Sequence, residues 1–146
     1  MRQGVAMLAA ASCLATIGAS AEIAGKPRVI DGNTIALADR TVRLYGIAAP
    51  AEGELCDTGG QPWRCGQNAA FALAAIIETH WVFCAEHGRD ARGRVLAVCR
   101  MGGPDGPEVN AAMVHQGWAR ADGGDYLAAE DAARKARLGL WGHAPP

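Results

Sequence analysis

The chain has 146 residues and a mass of 15.1 kDa, the size of a single domain. Hydrophobic residues make up 50% and charged residues 20%, which excludes a wholly disordered, collagen-like or coiled-coil protein. A formal charge of −1 at pH 7 gives the whole molecule no strong pull toward nucleic acid or anionic lipid.

Met1 to Ala21 reads as a secretory signal. Arg2 supplies a positive start, Val5 to Ile17 an apolar core, and Ala19-Ser20-Ala21 an A-x-A cleavage site. The apolar core falls short of the ~30 Å of hydrocarbon that an uncleaved anchor must cross. The residues before Cys13 fit a lipoprotein signal poorly. The expectation is therefore an exported domain of residues 22–146, periplasmic or secreted, with no membrane attachment after cleavage.

Export changes the reading of the cysteines. Cys56, Cys65, Cys84 and Cys99 are an even set in an oxidising compartment. Their spacings are not those of a zinc ribbon, and no histidine pair has ligand spacing. Of the three connectivities, Cys56–Cys65 with Cys84–Cys99 closes two local loops and is the one expected. Each bridge would contribute on the order of 3 kcal/mol by loop-closure arithmetic.

In chain order, Val29-Ile30 leads into an Asp31-Gly32-Asn33 turn and a strand over Thr34 to Leu37. Asp39-Arg40 turns the chain into a second strand, Thr41 to Ile47, whose alternation suits a pleated surface. Ala48 to Arg64 reads as a loop, and Gly66 to Glu78 has apolar residues at helical spacing. Trp81–Cys84 and Val95–Cys99 read as strands of a hairpin about Ala91 and Arg92, which sets Cys84 opposite Cys99. Helices over Glu108–Gln116 and Tyr126–Leu138 are each followed by a glycine stop. Short strands with interspersed helices suggest a β-rich α+β protein, a five-stranded OB-fold barrel with about three packed helices.

Five segments, taken together and in order, resemble the thermonuclease (staphylococcal nuclease-like) family. They are Val29-Ile30-Asp31-Gly32-Asn33-Thr34, Val42 through Pro50, Asp90 through Ala97, Val109-Asn110 through Ala119, and Gly139-Leu140-Trp141. The resemblance implies an OB barrel with three helices and a calcium-dependent phosphodiesterase acting on DNA and RNA. It also implies site residues. The family's V-I-D-G-D-T motif has a calcium-binding second Asp where this chain has Asn33. Its R-L-x-G-I-D-x-P-E motif supplies a phosphate-holding Arg, here Arg43, a calcium-binding Asp, here Ala48, and a general base Glu, here Ala51. Its D-x-x-G-R motif ends in a second phosphate-contacting Arg, here Arg94.

Two arginines are thus kept and three carboxylates lost. Calcium is held by six to eight oxygens, with carboxylates supplying the charge. Asp31 is the acid that remains at that place, and Asn33 offers only an amide oxygen. Loss of a general base forfeits roughly 10²–10⁴ in rate, and loss of the metal several kcal/mol more. The expectation is a catalytically degenerate domain with no cofactor, in which Arg43 and Arg94 hold nucleic acid or nucleotide weakly, or a protein partner is bound instead. The alternative is an active or residual metal-dependent endonuclease that keeps Ca2+, with Glu52 standing in for the base. The structural alternative is that Arg43 and Arg94 are kept for pairing with Asp31 or Asp90. Arg89, Arg92, Arg94 and Arg100 look like a basic patch but alternate with acids as a solvated hairpin face does. Trp118 and Trp141 read as packing residues.

Overall fold

The computed structural model describes residues 21–142. The segment read as a secretory signal lies, up to Ser20, outside the described residues. The chain is built around a meander of β2 (Arg28–Asp31), β3 (Thr34–Leu37) and β4 (Arg40–Leu44). The β3–β4 connection is the two-residue turn Ala38-Asp39, with φ of 47° and 59°. Two positive-φ residues match the twist of a hairpin, and here the turn forms without glycine. Ile35, Leu37, Val42 and Leu44 face inward and are buried, so Thr41 and Arg43 face outward by strand alternation.

A second hairpin joins β8 (Val82–Arg89) to β9 (Val95–Met101), with a bulge between Glu86 and Gly88. Cys84 stands opposite Cys99 in this register, and the two are disulfide-bonded across a Cα–Cα distance of 4.0 Å. Strand β9 runs parallel to β4, with Val42 beside Val95 and Arg43 beside Leu96. Strand β8 runs on to Arg89, beyond the expected end at Cys84, and the turn is confined to residues 90–94.

The β-rich α+β architecture with three helices is the expected one, with one more strand in its main sheet. Glu22–Gly25 forms β1 on the outer edge of β8, giving the six-stranded order β1-β8-β9-β4-β3-β2. A small pair follows, β5 (Ile47–Ala48) with β10 (Arg120–Ala121). The expected strand through Ile47 breaks at Gly46, whose φ is +74°. A Cβ there would lie 2.9 Å from the Tyr126 ring, so only glycine makes that corner. The segment expected as loop contains another hairpin, β6 (Cys56–Thr58) with β7 (Gln61–Trp63), whose base is joined to the next helix by the Cys56–Cys65 disulfide.

Helices α1 (Cys65–Ile77), α2 (Val109–His115) and α3 (Leu127–Lys135) and a 3-10 turn (Gly139–Trp141) complete the fold. Leu73 and Ile77 of α1 and Val109, Met113 and Val114 of α2 join the strand side chains in one core. Trp118 packs on this core from the side. Trp141 is partly buried, with the guanidinium carbons of Arg120 and Arg134 at 4.8 and 4.2 Å from its ring centroid. No helix among the described residues is long and apolar enough to cross a membrane.

One fully buried polar side chain ties these parts together. Asn110 of α2 accepts from the Cys99 amide at 3.0 Å and donates to the carbonyls of Tyr45 (2.9 Å) and Ala97 (3.1 Å). Removing a buried partner strands the groups it satisfied, each worth about 1–3 kcal/mol. Asn110→Ala is therefore expected to lower the unfolding free energy by about 3 kcal/mol or more, as read by urea denaturation. A loss below about 1 kcal/mol would refute the role given to this amide.

Candidate phosphate-binding site

The outer face of β4 and the start of β9 carry the two retained arginines. Arg94 precedes Val95, the partner of Val42, so it stands diagonally from Arg43 on the same sheet face. Arg94 is fixed by the hairpin tip. The Asp90 carboxylate accepts from the amides of Arg92 (2.9 Å) and Arg94 (3.0 Å), and its other oxygen accepts from Arg94 Nε at 2.7 Å. The Gly93 amide closes the turn onto the Asp90 carbonyl at 2.9 Å. Desolvation pushes the Asp90 carboxyl upward, but these hydrogen bonds and the Arg94 charge outweigh it and hold the group below its ordinary value of 3.8.

Arg43 is held by the first turn. The Asp31 carboxylate accepts the Asn33 amide N–H at 2.8 Å, which pins the turn between β2 and β3. Gly32 packs under it against α1, where a Cβ would lie 2.7 Å from the Ala69 Cβ. The Asn33 side chain is buried, and its surroundings fix which way the amide points. Its nitrogen donates to the Ile47 carbonyl at 3.2 Å, and its oxygen accepts from Arg43 Nη2 at 3.0 Å. The reverse orientation would set oxygen against oxygen and nitrogen against nitrogen.

The remaining positions carry no acid. Ala48 is exposed at the end of β5, opposite Arg120. Ala51 is exposed in the next loop, where its carbonyl accepts from the Glu54 amide and its own amide donates to Glu54 Oε2, both at 3.0 Å. This loop is pressed on the start of α1, since a Cβ on Gly66 would sit 1.7 Å from the Ala51 carbonyl oxygen. Glu52 lines a separate groove with Gly53, Leu55, Arg64 and Gln67. Glu54 and Asp57, rather than Glu52, are the acids that share a cavity of about 420 Å³ with Ala48, Ala49 and Pro50. Among the described residues, Glu54 also forms an acid–thiol cluster with Cys56 and Cys65, but both sulfurs are bonded to each other.

The structure thus brings Asn33 against Arg43 and Asp90 against Arg94, and leaves Glu52 apart. Of the four arginines grouped by sequence, Arg100 is engaged elsewhere, with Glu108 at 3.0 Å and the Gly106 carbonyl at 3.2 Å. Glu108 also accepts from the Tyr126 hydroxyl, and burial together with that acid raises the phenol far above its usual range. The rings of Tyr45 and His87, which sequence reasoning did not bring together, stack at 4.6 Å.

The profile of the family described as staphylococcal nuclease homologue matches residues 41–143. The succinoglycan biosynthesis protein ExoI of Rhizobium meliloti (strain 1021) is 34% identical over 142 residues, covering 93% of this chain and 73% of that protein. Protein ParB of Escherichia coli is 36% identical over 162 residues, covering 96% of this chain and 86% of that protein.

Two outcomes follow from this geometry. Asn33→Ala removes both buried contacts of the amide and is expected to lower stability by about 1–3 kcal/mol in thermal or urea unfolding. The Asp90 carboxylate has a depressed folded-state value, so its contribution is present in full above 3.8 and is lost as pH falls below it. Asp90→Asn should therefore flatten the acid limb of the unfolding midpoint plotted against pH; an unchanged limb would show that Asp90 contributes nothing there.

Proposed function

The chain belongs to the staphylococcal nuclease homologue family, and from that membership we propose that it holds a nucleic-acid phosphate between Arg43 and Arg94 without hydrolysing the ester. The observation that carries this reading is the Asn33 amide. It satisfies the Ile47 carbonyl and the Arg43 guanidinium at once, with no charge of its own and no need of an ion. A carboxylate there would set an anionic oxygen toward the Ile47 carbonyl, an arrangement that a cation between them would relieve.

The donor set does not fit calcium. Asp31 is the one carboxylate of the first turn, and one of its oxygens already accepts the Asn33 amide. Ala48 and Ala51 offer no side-chain oxygen, and a hard divalent ion needs six to eight. What the arginines do is different in kind. Arg43 enters the site with one nitrogen spent on Asn33, and Arg94 with Nε spent on Asp90, so each fork is oriented before a ligand arrives. Preorganised guanidinium forks suit the paired oxygens of a phosphate. They hold charge in place but cannot deprotonate water. Export accords with the two disulfides and with the apolar first segment, and we place the protein in the periplasm or outside the cell.

The test is digestion of single-stranded DNA by the purified protein with calcium, then magnesium, then manganese. No cutting is expected with any of them. Asn33→Asp, Ala48→Asp and Ala51→Glu combined are expected to gain calcium-dependent cutting that a chelator abolishes. Wild-type digestion that is lost both with chelator and in Arg94→Ala would overturn the proposal in favour of a metal-dependent endonuclease.

A further inference from the structure

Helix α1 carries no charged side chain over Cys65–Ile77. Helical spacing sorts its residues into two faces. Ala69, Leu73 and Ile77 are buried, whereas Gln67, Phe71, Ala74 and Ala75 are exposed. The Phe71 ring is 63% exposed. Helix α3 covers its outer face differently, with Asp131, Arg134 and Lys135 tied into i,i+4 ion pairs, as a solvated helix does. Beside the N-terminal half of the apolar face of α1 lies the groove of Glu52, Gly53, Leu55, Arg64 and Gln67, with a volume of about 330 Å³. Gln67 stands one helical turn before Phe71, so the groove and the ring adjoin. Leu55 in that groove is 60% exposed. Glu52 and Arg64 share the groove, yet neither side chain has an ion pair or hydrogen bond among the described residues. Single exposed apolar side chains are ordinary; an uncharged helix face that runs into an apolar-walled groove is not.

We propose that this face is an interface between two copies of the chain, packed about a two-fold axis near Gln67 with their α1 helices antiparallel. Under that symmetry, a side chain one turn after Gln67 meets the second copy one turn before it, and the same contact is made in reverse. Phe71 of each copy thus enters the groove of the other, against Leu55. The same exchange sets Glu52 of each copy toward Arg64 of the other. Charge complementarity is what selects a second copy as the occupant. A patch with one acid and one base matches itself twice across a two-fold axis. A polyanionic partner would meet Glu52 with a like charge. Ala74 and Ala75 keep the helix face low enough for a close approach. The contact is short: thirteen residues of helix span about 20 Å at ~1.5 Å each. Interfaces of that extent bury less than about 1,200 Å² and belong to weak, reversible associations. The inference uses neither Arg43 nor Arg94 and stands apart from the phosphate-holding reading.

Sedimentation velocity of the purified, oxidised protein from micromolar to millimolar concentration reads the association. The wild-type chain is expected to pass from monomer to dimer and no further, because a two-fold contact closes on itself. Phe71→Asp, Glu52→Arg and Arg64→Glu are each expected to raise the dimer dissociation constant at least about tenfold. All three positions are exposed, so the monomer fold is expected to survive, as checked by thermal unfolding. The decisive sample is an equal mixture of Glu52→Arg and Arg64→Glu. Each chain alone carries like charges in its groove, but across the axis every acid meets a base. The mixture is expected to recover the wild-type dissociation constant to within about threefold. Wild-type protein that stays monomeric throughout overturns the proposal, as does a dimer that Phe71→Asp leaves intact. Single variants that dissociate but do not recover on mixing overturn the two-fold exchange of Glu52 and Arg64. Growth beyond the dimer overturns the closed arrangement.

Discussion

Asn110 is the fastening on which the site's geometry depends. Its amide is wholly buried and makes three hydrogen bonds to backbone groups of two separate segments. One segment is β9, which carries Arg94 at its head. The other is Tyr45, immediately before the Gly46 corner where β4 ends and β5 begins. Strands β4 and β9 are paired in parallel, an arrangement whose register no short turn can set. A helix side chain bonded to both sides supplies the missing constraint. The diagonal placement of Arg43 and Arg94 is therefore a consequence of the core, not of the surface.

Around that fixed pair, the site has exchanged one kind of electrostatic balance for another. Where the family pattern sets carboxylates and a cation, this chain sets an amide, two alanines and two arginines. The amide closes the gap between Arg43 and Ile47 directly, so the first turn is complete in itself. The charge left over is positive and concentrated on one sheet face. It continues to the hairpin tip, where Asp90 orders the turn and neutralises one guanidinium but not its neighbours. The proposed function rests on this surface of fixed donors, which would hold an anion and leave it unchanged.

Much of the frame was legible because it is local. The Asp31-Gly32-Asn33 turn, the apolar spacing of α1 and the Asp90–Gly93 turn each write their conformation into neighbouring residues. The pairing of Cys84 with Cys99 follows from the register of that same hairpin. Strand β1 was not legible, since Glu22-Ile23-Ala24-Gly25 has little strand propensity and gains its conformation only from the edge of β8. The β6–β7 hairpin holds Gly59, Gly60 and Pro62 and reads as loop, and it is joined to α1 by a covalent bridge rather than by propensity. The site was legible as a set of positions through the family motifs. It was not legible as contacts: nothing in the linear order brings Arg40 and Arg92 to one concavity, or turns Asn33 toward Arg43, because strand pairing does both.

The two bridges differ in their access to solvent. Cys84 and Cys99 are sealed in the core, whereas Cys56 is partly open and Cys65 alone of its pair is buried. A thiol reductant reaches the Cys56 sulfur first and unfastens the β6–β7 flap from α1 while the sheet stays stapled. Folded protein exposed to reductant would then carry a loosened collar beside the alanine positions, with its Cys84–Cys99 bridge intact. The redox history of a preparation thus bears on the shape of this rim.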